Sequence, residues 1–123
     1  MAEFPVDPRP LSELESGVVG KLLSADVQGA AELRNQIPFV TVVATWGEGS
    51  PSVDLRVAPG ADPAGLPDGE LPVSGLVHDK AGAFVGEITL WLAAGYLSAI
   101  EFGWVTDDRP TSLPDPALIS VSP

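Results

Sequence analysis

Residues 84–105, FVGEITLWLAAGYLSAIEFGWV, leave this chain few alternatives. Val85–Leu92 and Tyr96–Val105 are strand-length runs rich in β-branched and aromatic residues, and Ala93-Ala94-Gly95 lies between them. Gly95 takes positive φ without steric cost, as the tight mirror-image hairpin turns require. The stretch is expected to be a long antiparallel hairpin turning at Ala94-Gly95. A two-residue turn pairs Ala93 with Tyr96. Counting outward sets Leu92 opposite Leu97, Leu90 opposite Ala99 and Ile88 opposite Glu101 on one face. The other face then holds Trp91 with Ser98, Thr89 with Ile100, Glu87 with Phe102 and Val85 with Trp104.

The rest of the chain is arranged around that hairpin. Residues 1–10, MAEFPVDPRP, carry prolines that oppose regular structure and read as a flexible N-terminal arm. From Leu11, apolar residues recur at helical steps through Leu14, Val18 and Leu22, and Ser12 with Glu15 has the spacing of a capping box. Gly17 and Gly20 weaken that helix locally, so it is expected to depend on packing against a close neighbour. Ala30–Gln36 reads as a second, shorter helix that stops before Pro38. Phe39–Trp46, Ser52–Val57 and Val73–His78 read as strands, and the proline- and glycine-rich stretch 58–72 between the last two reads as the most mobile internal loop. After Val105 the tail has no period, although Leu113, Leu118 and Ile119 suit packing back on the body. The expected fold is α+β: two N-terminal helices followed by an antiparallel five-stranded meander sheet, as one domain over 11–119 with a tail at 120–123.

Charge narrows the function classes. With 17 acids against 6 bases the net charge is −11, and the basic residues are scattered singly, which opposes nucleic-acid binding. There is no cysteine, which fits a reducing cytoplasm, and no apolar run approaches the roughly 20 residues of a membrane span. The start of the chain lacks the basic and apolar regions of a secretory signal.

Gly29-Ala30-Ala31-Glu32-Leu33-Arg34-Asn35-Gln36, then Pro51-Ser52-Val53-Asp54-Leu55, Gly95-Tyr96-Leu97-Ser98-Ala99-Ile100-Glu101 and a closing Leu113-Pro114-Asp115-Pro116 are motifs in a fixed order. In that order the chain resembles a family of small uncharacterised bacterial α+β domains, over roughly residues 26–119. The resemblance implies the fold and a cytoplasmic setting, and it brings no established activity. Many members of that family carry closely spaced cysteines ahead of the strand that matches Pro51–Leu55. This chain has Trp46-Gly47-Glu48-Gly49-Ser50 there, so no metal or redox role passes to it.

Side chains with chemical potential read first as structure. His78, the single histidine, is followed by Asp79, yet His78-Asp79-Lys80-Ala81-Gly82 is the composition of a hairpin turn. Asp62, Asp68 and Glu70 share one loop without the spacing of a calcium-binding hand. Asp107-Asp108-Arg109-Pro110 reads as a turn with a local charge pair. No catalytic, cofactor-binding or metal-binding residue is assigned, and the chain is expected not to be an enzyme. Two short helices cover one face of a five-stranded sheet but not both, so the second face is expected to meet the tail or a partner. Trp91, Phe102 and Trp104 are its candidate partner surface, as large aromatics concentrate interface energy.

The expected function is an acidic, non-catalytic protein-binding module. The alternatives are a small-ligand or enzyme domain with its site under the 58–72 loop, and a structural homo-oligomer. With one histidine and no cysteine there is no basis for a closed structural metal site. The melting temperature is therefore expected to be the same with and without EDTA, and a drop of several degrees restored by one added metal would contradict this.

Overall fold

The computed structural model describes residues 4–123, and in it the proline-rich start of the chain becomes an edge strand, β1 (Phe4–Pro10). This corrects the expected flexible arm over 1–10, of which residues 1–3 lie outside the described residues. Proline lacks a backbone donor, but one side of an edge strand has no neighbour to serve, so the residue is tolerated there. β1 pairs antiparallel with β2 (Val40–Thr45), its register shifting between Pro5 and Arg9.

Helix α1 (Glu13–Leu22) begins with the expected capping box. Ser12 Oγ accepts the Glu15 N–H at 3.1 Å, and Glu15 Oε1 accepts the Ser12 N–H at 2.8 Å. Arg9 of β1 donates to both oxygens of the same carboxylate, at 2.7 and 3.0 Å, so one buried acid fastens the edge strand to the helix start. Gly17 is where the tail crosses: a Cβ there would lie 3.1 Å from Pro116 Cγ. Helix α2 (Ala30–Gln36) follows and runs into a single 3₁₀ turn, Ile37–Phe39. The Arg34 guanidinium donates to the Leu23 carbonyl, tying the two helices together.

The remaining strands are β3 (Val53–Val57), β4 (Gly69–Glu70), β5 (Ser74–His78), β6 (Phe84–Ala93), β7 (Tyr96–Trp104) and β8 (Ile119–Ser122), the last reached through a 3₁₀ turn at Pro116–Leu118. The protein is α+β with an antiparallel sheet, but its described residues form eight strands where five were expected. Nor are the strands a simple meander after N-terminal helices. β1 precedes the helices, and the sheet runs β1-β2-β3-β7-β6-β5-β8 with β4 on β6. Val18, Val19, Leu22, Leu23 and Leu33 pack with Val42, Val53, Ile88, Leu90 and Ile100 in one core cluster. Leu113 and Ile119 of the tail are buried in that same cluster. The tail therefore packs on the helix side of the sheet through these two residues.

The hairpin turns where expected. Ala94 and Gly95 have φ of 55° and 84°, both positive, as a type I′ turn demands. Alanine in this region carries a strain of about 1 kcal/mol, and its N–H is held by Asp68 Oδ1 at 2.8 Å. Leu92↔Leu97 and Ala93↔Tyr96 pair as counted, but the next pair is Trp91↔Ala99, so Ser98 is an extra residue in β7. That bulge corrects every pairing beyond it: Leu90 faces Ile100, Thr89 faces Glu101, Ile88 faces Phe102, Glu87 faces Gly103 and Gly86 faces Trp104.

The 58–72 segment is anchored rather than loose. Ala64 N–H donates to Gly95 O and Leu71 N–H to Leu90 O, both at 2.8 Å, and Ala64 and Leu71 are buried. Between this segment and the hairpin turn sits the Gln36 side chain, fully buried. Its Nε2 donates to Asp62 O at 3.0 Å and Gly95 O at 2.9 Å, and its Oε1 accepts the Leu97 N–H at 3.0 Å.

Two outcomes are expected. Gln36→Leu, which leaves the buried Leu97 N–H and Asp62 carbonyl without this partner, should lower the unfolding free energy by about 2–4 kcal/mol in urea titration. The second concerns Glu15. Burial works to raise its pKa, and the hydrogen bonds from Arg9 and Ser12 outweigh this, so the carboxyl lies below its ordinary value of 4.5. A depressed folded pKa stabilises above the unfolded value and ceases to do so as pH falls through the folded one. Glu15→Gln should therefore cost more stability at pH 7 than at pH 3, and an equal cost at both would contradict the charge pair.

Candidate functional site

Alternation along the strands decides which side chains the helices leave uncovered. Thr41 of β2, Asp54 of β3, Leu76 of β5, Thr89 and Trp91 of β6 and Glu101 of β7 are all part-exposed, each set between buried neighbours on the helix side. Two tryptophans are fixed on this side by carboxylates. Trp91 Nε1–H donates to Glu101 Oε1, and Trp46 Nε1–H donates to Asp54 Oδ1, both at 2.9 Å. Between them Ala99 pairs with Asp54 on one side and Trp91 on the other, a small residue that gives both larger side chains room.

The bulge at Ser98 separates the three aromatics expected together. Phe102 is directed into the core, opposite Ile88 and only 4% exposed. Trp91 stays part-exposed on the uncovered face. Trp104 lies beyond the end of the core, 38% exposed, with Phe84 and Val105 exposed beside it at the open end of the hairpin. Trp46, Phe84 and Val105 were not singled out from the sequence. Trp46 joins the surface only because β2 pairs with β3 and brings it to Asp54, and nothing within its own segment signals that.

A cleft of about 670 Å³ opens where the 46–50 turn faces the end of β7, lined by Trp46, Glu48, Ser52, Glu101, Trp104 and Arg109 among others. Ser50 N–H donates to Gly47 O and Thr45 Oγ1 to Gly47 O, which closes the turn on itself. Arg109 reaches across from the tail, its Nη2 donating to Glu48 O at 2.7 Å, instead of pairing within Asp107-Asp108. A broader hollow of about 800 Å³ lies between the start of α1 and Leu113–Pro116, with no aromatic side chain in its lining.

Several of the other residues weighed from sequence serve the fold. Asp79 Oδ1 accepts the Ala81 and Ala83 N–H groups, each at 2.9 Å, and so builds the turn; His78 packs its ring edgewise on Phe84, centroids 5.7 Å apart. Asp68 caps the hairpin turn as described, and Ser52 Oγ accepts the Phe102 N–H at 2.9 Å. Among the described residues no three His, Asp or Glu side chains converge as metal ligands, and no helix is long and apolar enough to cross a membrane. Compared with protein-family models, with curated proteins and with solved structures, the chain finds no match in any of the three, so its surface is interpreted from its own geometry.

Proposed function

We propose that this chain is a small acidic, non-catalytic protein-binding module of the cytoplasm, and that it binds through the helix-free face of its sheet and the aromatic end beside it. One observation carries the reading: Trp46 and Trp91 stand part-exposed on that face with both indole N–H groups already satisfied by Asp54 and Glu101. A partner covering these rings desolvates apolar area without stranding a donor, the condition under which tryptophan contributes most to an interface. The same carboxylates, with Glu87, give the face a negative rim. Together with the net charge of −11 this favours a basic protein partner, opposes nucleic acid, and opposes a second copy of the chain, which would bring equal charge. A ligand site under 58–72 has less support, because Ala64, Leu71 and Gln36 fill that region and a Cβ on Gly95 would already lie 2.4 Å from Ala64 O.

The test begins with a partner captured from the native host, identified by mass spectrometry and purified. Trp91→Ser should keep its circular dichroism and bind that partner at least about tenfold more weakly, as loss of one interface anchor implies. A folded Trp91→Ser protein with unchanged affinity would overturn the assignment of this face.

A further inference from the structure

β3 accompanies β7 only at Val53↔Ile100 and Asp54↔Ala99, while β7 continues beside β6 as far as Trp104. From Phe102 onward, then, no strand among the described residues lies along one edge of β7. Two hydrogen bonds fix which backbone groups face that edge. Val105 N–H donates to Val85 O at 2.9 Å, on the β6 side, and Phe102 N–H donates to Ser52 Oγ at 2.9 Å, on the other. Alternation turns the Trp104 N–H, and the carbonyls of Phe102 and Trp104, to the same side as the Phe102 N–H. That side is the cleft of about 670 Å³ between the 46–50 turn and the end of β7.

We infer that this free edge of β7 takes up an extended, basic segment of a partner protein by strand addition. The inference rests on the protein-binding reading above and names its mode. Donors and acceptors at strand spacing select an extended backbone, and the cleft beside them has the size of an ordinary ligand site. A segment laid along β7 places alternate side chains on opposite faces. The one beside Gly103 falls on the uncovered face, next to Glu101 and with Glu87 one strand away; those beside Phe102 and Trp104 turn to the other side, toward the exposed Trp104 ring. The fitting segment therefore alternates basic and apolar residues. Glu48 adds a second carboxylate to the cleft, and Arg109, the cation there, is held at the Glu48 carbonyl. A second copy would set −11 against −11, and this chain's own tail is already paired with β5 as β8.

The experiment titrates ¹⁵N-labelled protein with three capped hexapeptides: Lys-Val-Lys-Val-Lys-Val, the same peptide N-methylated at every amide, and Glu-Val-Glu-Val-Glu-Val. The basic peptide should shift the amides of Phe102–Val105 and the Trp46 indole N–H. N-methylation should weaken binding about tenfold or more, the loss of one or two backbone hydrogen bonds, and the acidic peptide should leave the spectrum unchanged. Equal binding of the methylated peptide would overturn strand addition while leaving the protein-binding reading intact, and equal binding of the acidic peptide would overturn the basic assignment. Shifts elsewhere, or none at millimolar peptide, would overturn the site; the Trp91→Ser comparison judges the wider reading independently.

Discussion

The side-chain amide of Gln36 is the joint on which the fold turns. It sits at the last position of α2 with no exposed surface, and it binds backbone atoms of the 58–72 segment and of both residues flanking Tyr96. Three segments with no local reason to meet are thereby held at one point. The amide is suited to this because it offers donors and an acceptor from one planar group, and at a buried position every unmet polar group is costly. Asparagine would carry the same groups one methylene short of their partners. Fixing the turn at Ala94-Gly95 in turn fixes the first pairs of the β6–β7 ladder, from which the register of the whole hairpin is counted.

That register is completed by the bulge at Ser98, and burial energetics explain why the bulge wins. An unbroken ladder would set Glu101 opposite Ile88, in the core, and push Phe102 to the other face. Burying an unpaired carboxylate costs several kcal/mol, and exposing a phenylalanine forgoes a further ~1.5–3 kcal/mol. One unpaired serine near the tip costs less. The bulge thus sends Ile88, Leu90, Ile100 and Phe102 inward together and leaves Glu101 outside, where its carboxylate meets the Trp91 indole. The proposed partner surface is in this sense a consequence of core packing: the side chain excluded from the core is the one that orients the tryptophan.

What could be read from the sequence were the features whose causes are local. The Ser12–Glu15 box, the Ala30–Gln36 helix, the strands around Val42, Leu55 and Val77, and the turn at Ala94-Gly95 all follow from residues within a few positions of each other. Strands β1, β4 and β8 did not, because each owes its conformation to a distant partner. β1 carries prolines that argue against a strand anywhere but an edge, β4 is two residues long and exists only across Leu92 and Trp91, and β8 is four residues set against β5. The 58–72 segment looked loose for the same reason. Its anchors, Gln36 and the hairpin turn, lie tens of residues away. The bulge does leave a local trace. An unbroken count places the Glu101 carboxylate on the same face as Ile88 and Leu90, a conflict that one inserted residue relieves.

The remaining constraint concerns edges. An unpaired strand edge is a template for association, and natural sheets suppress it with proline, short length or cover. β1 ends one side of this sheet and carries Pro5, Pro8 and Pro10, and β8 ends the other with four residues before Pro123. Both outer edges are blunted by these means. The interior edge at Phe102–Trp104, without a strand among the described residues where β3 departs, is treated otherwise. Ser52 satisfies only its first donor, no proline interrupts it, and it is flanked by Trp46 and Trp104 rather than by lysine. A chain that guards its outer edges and leaves this one furnished with aromatic walls and carboxylates offers one place for the proposed strand addition, and the negative charge there favours a basic strand over an acidic one.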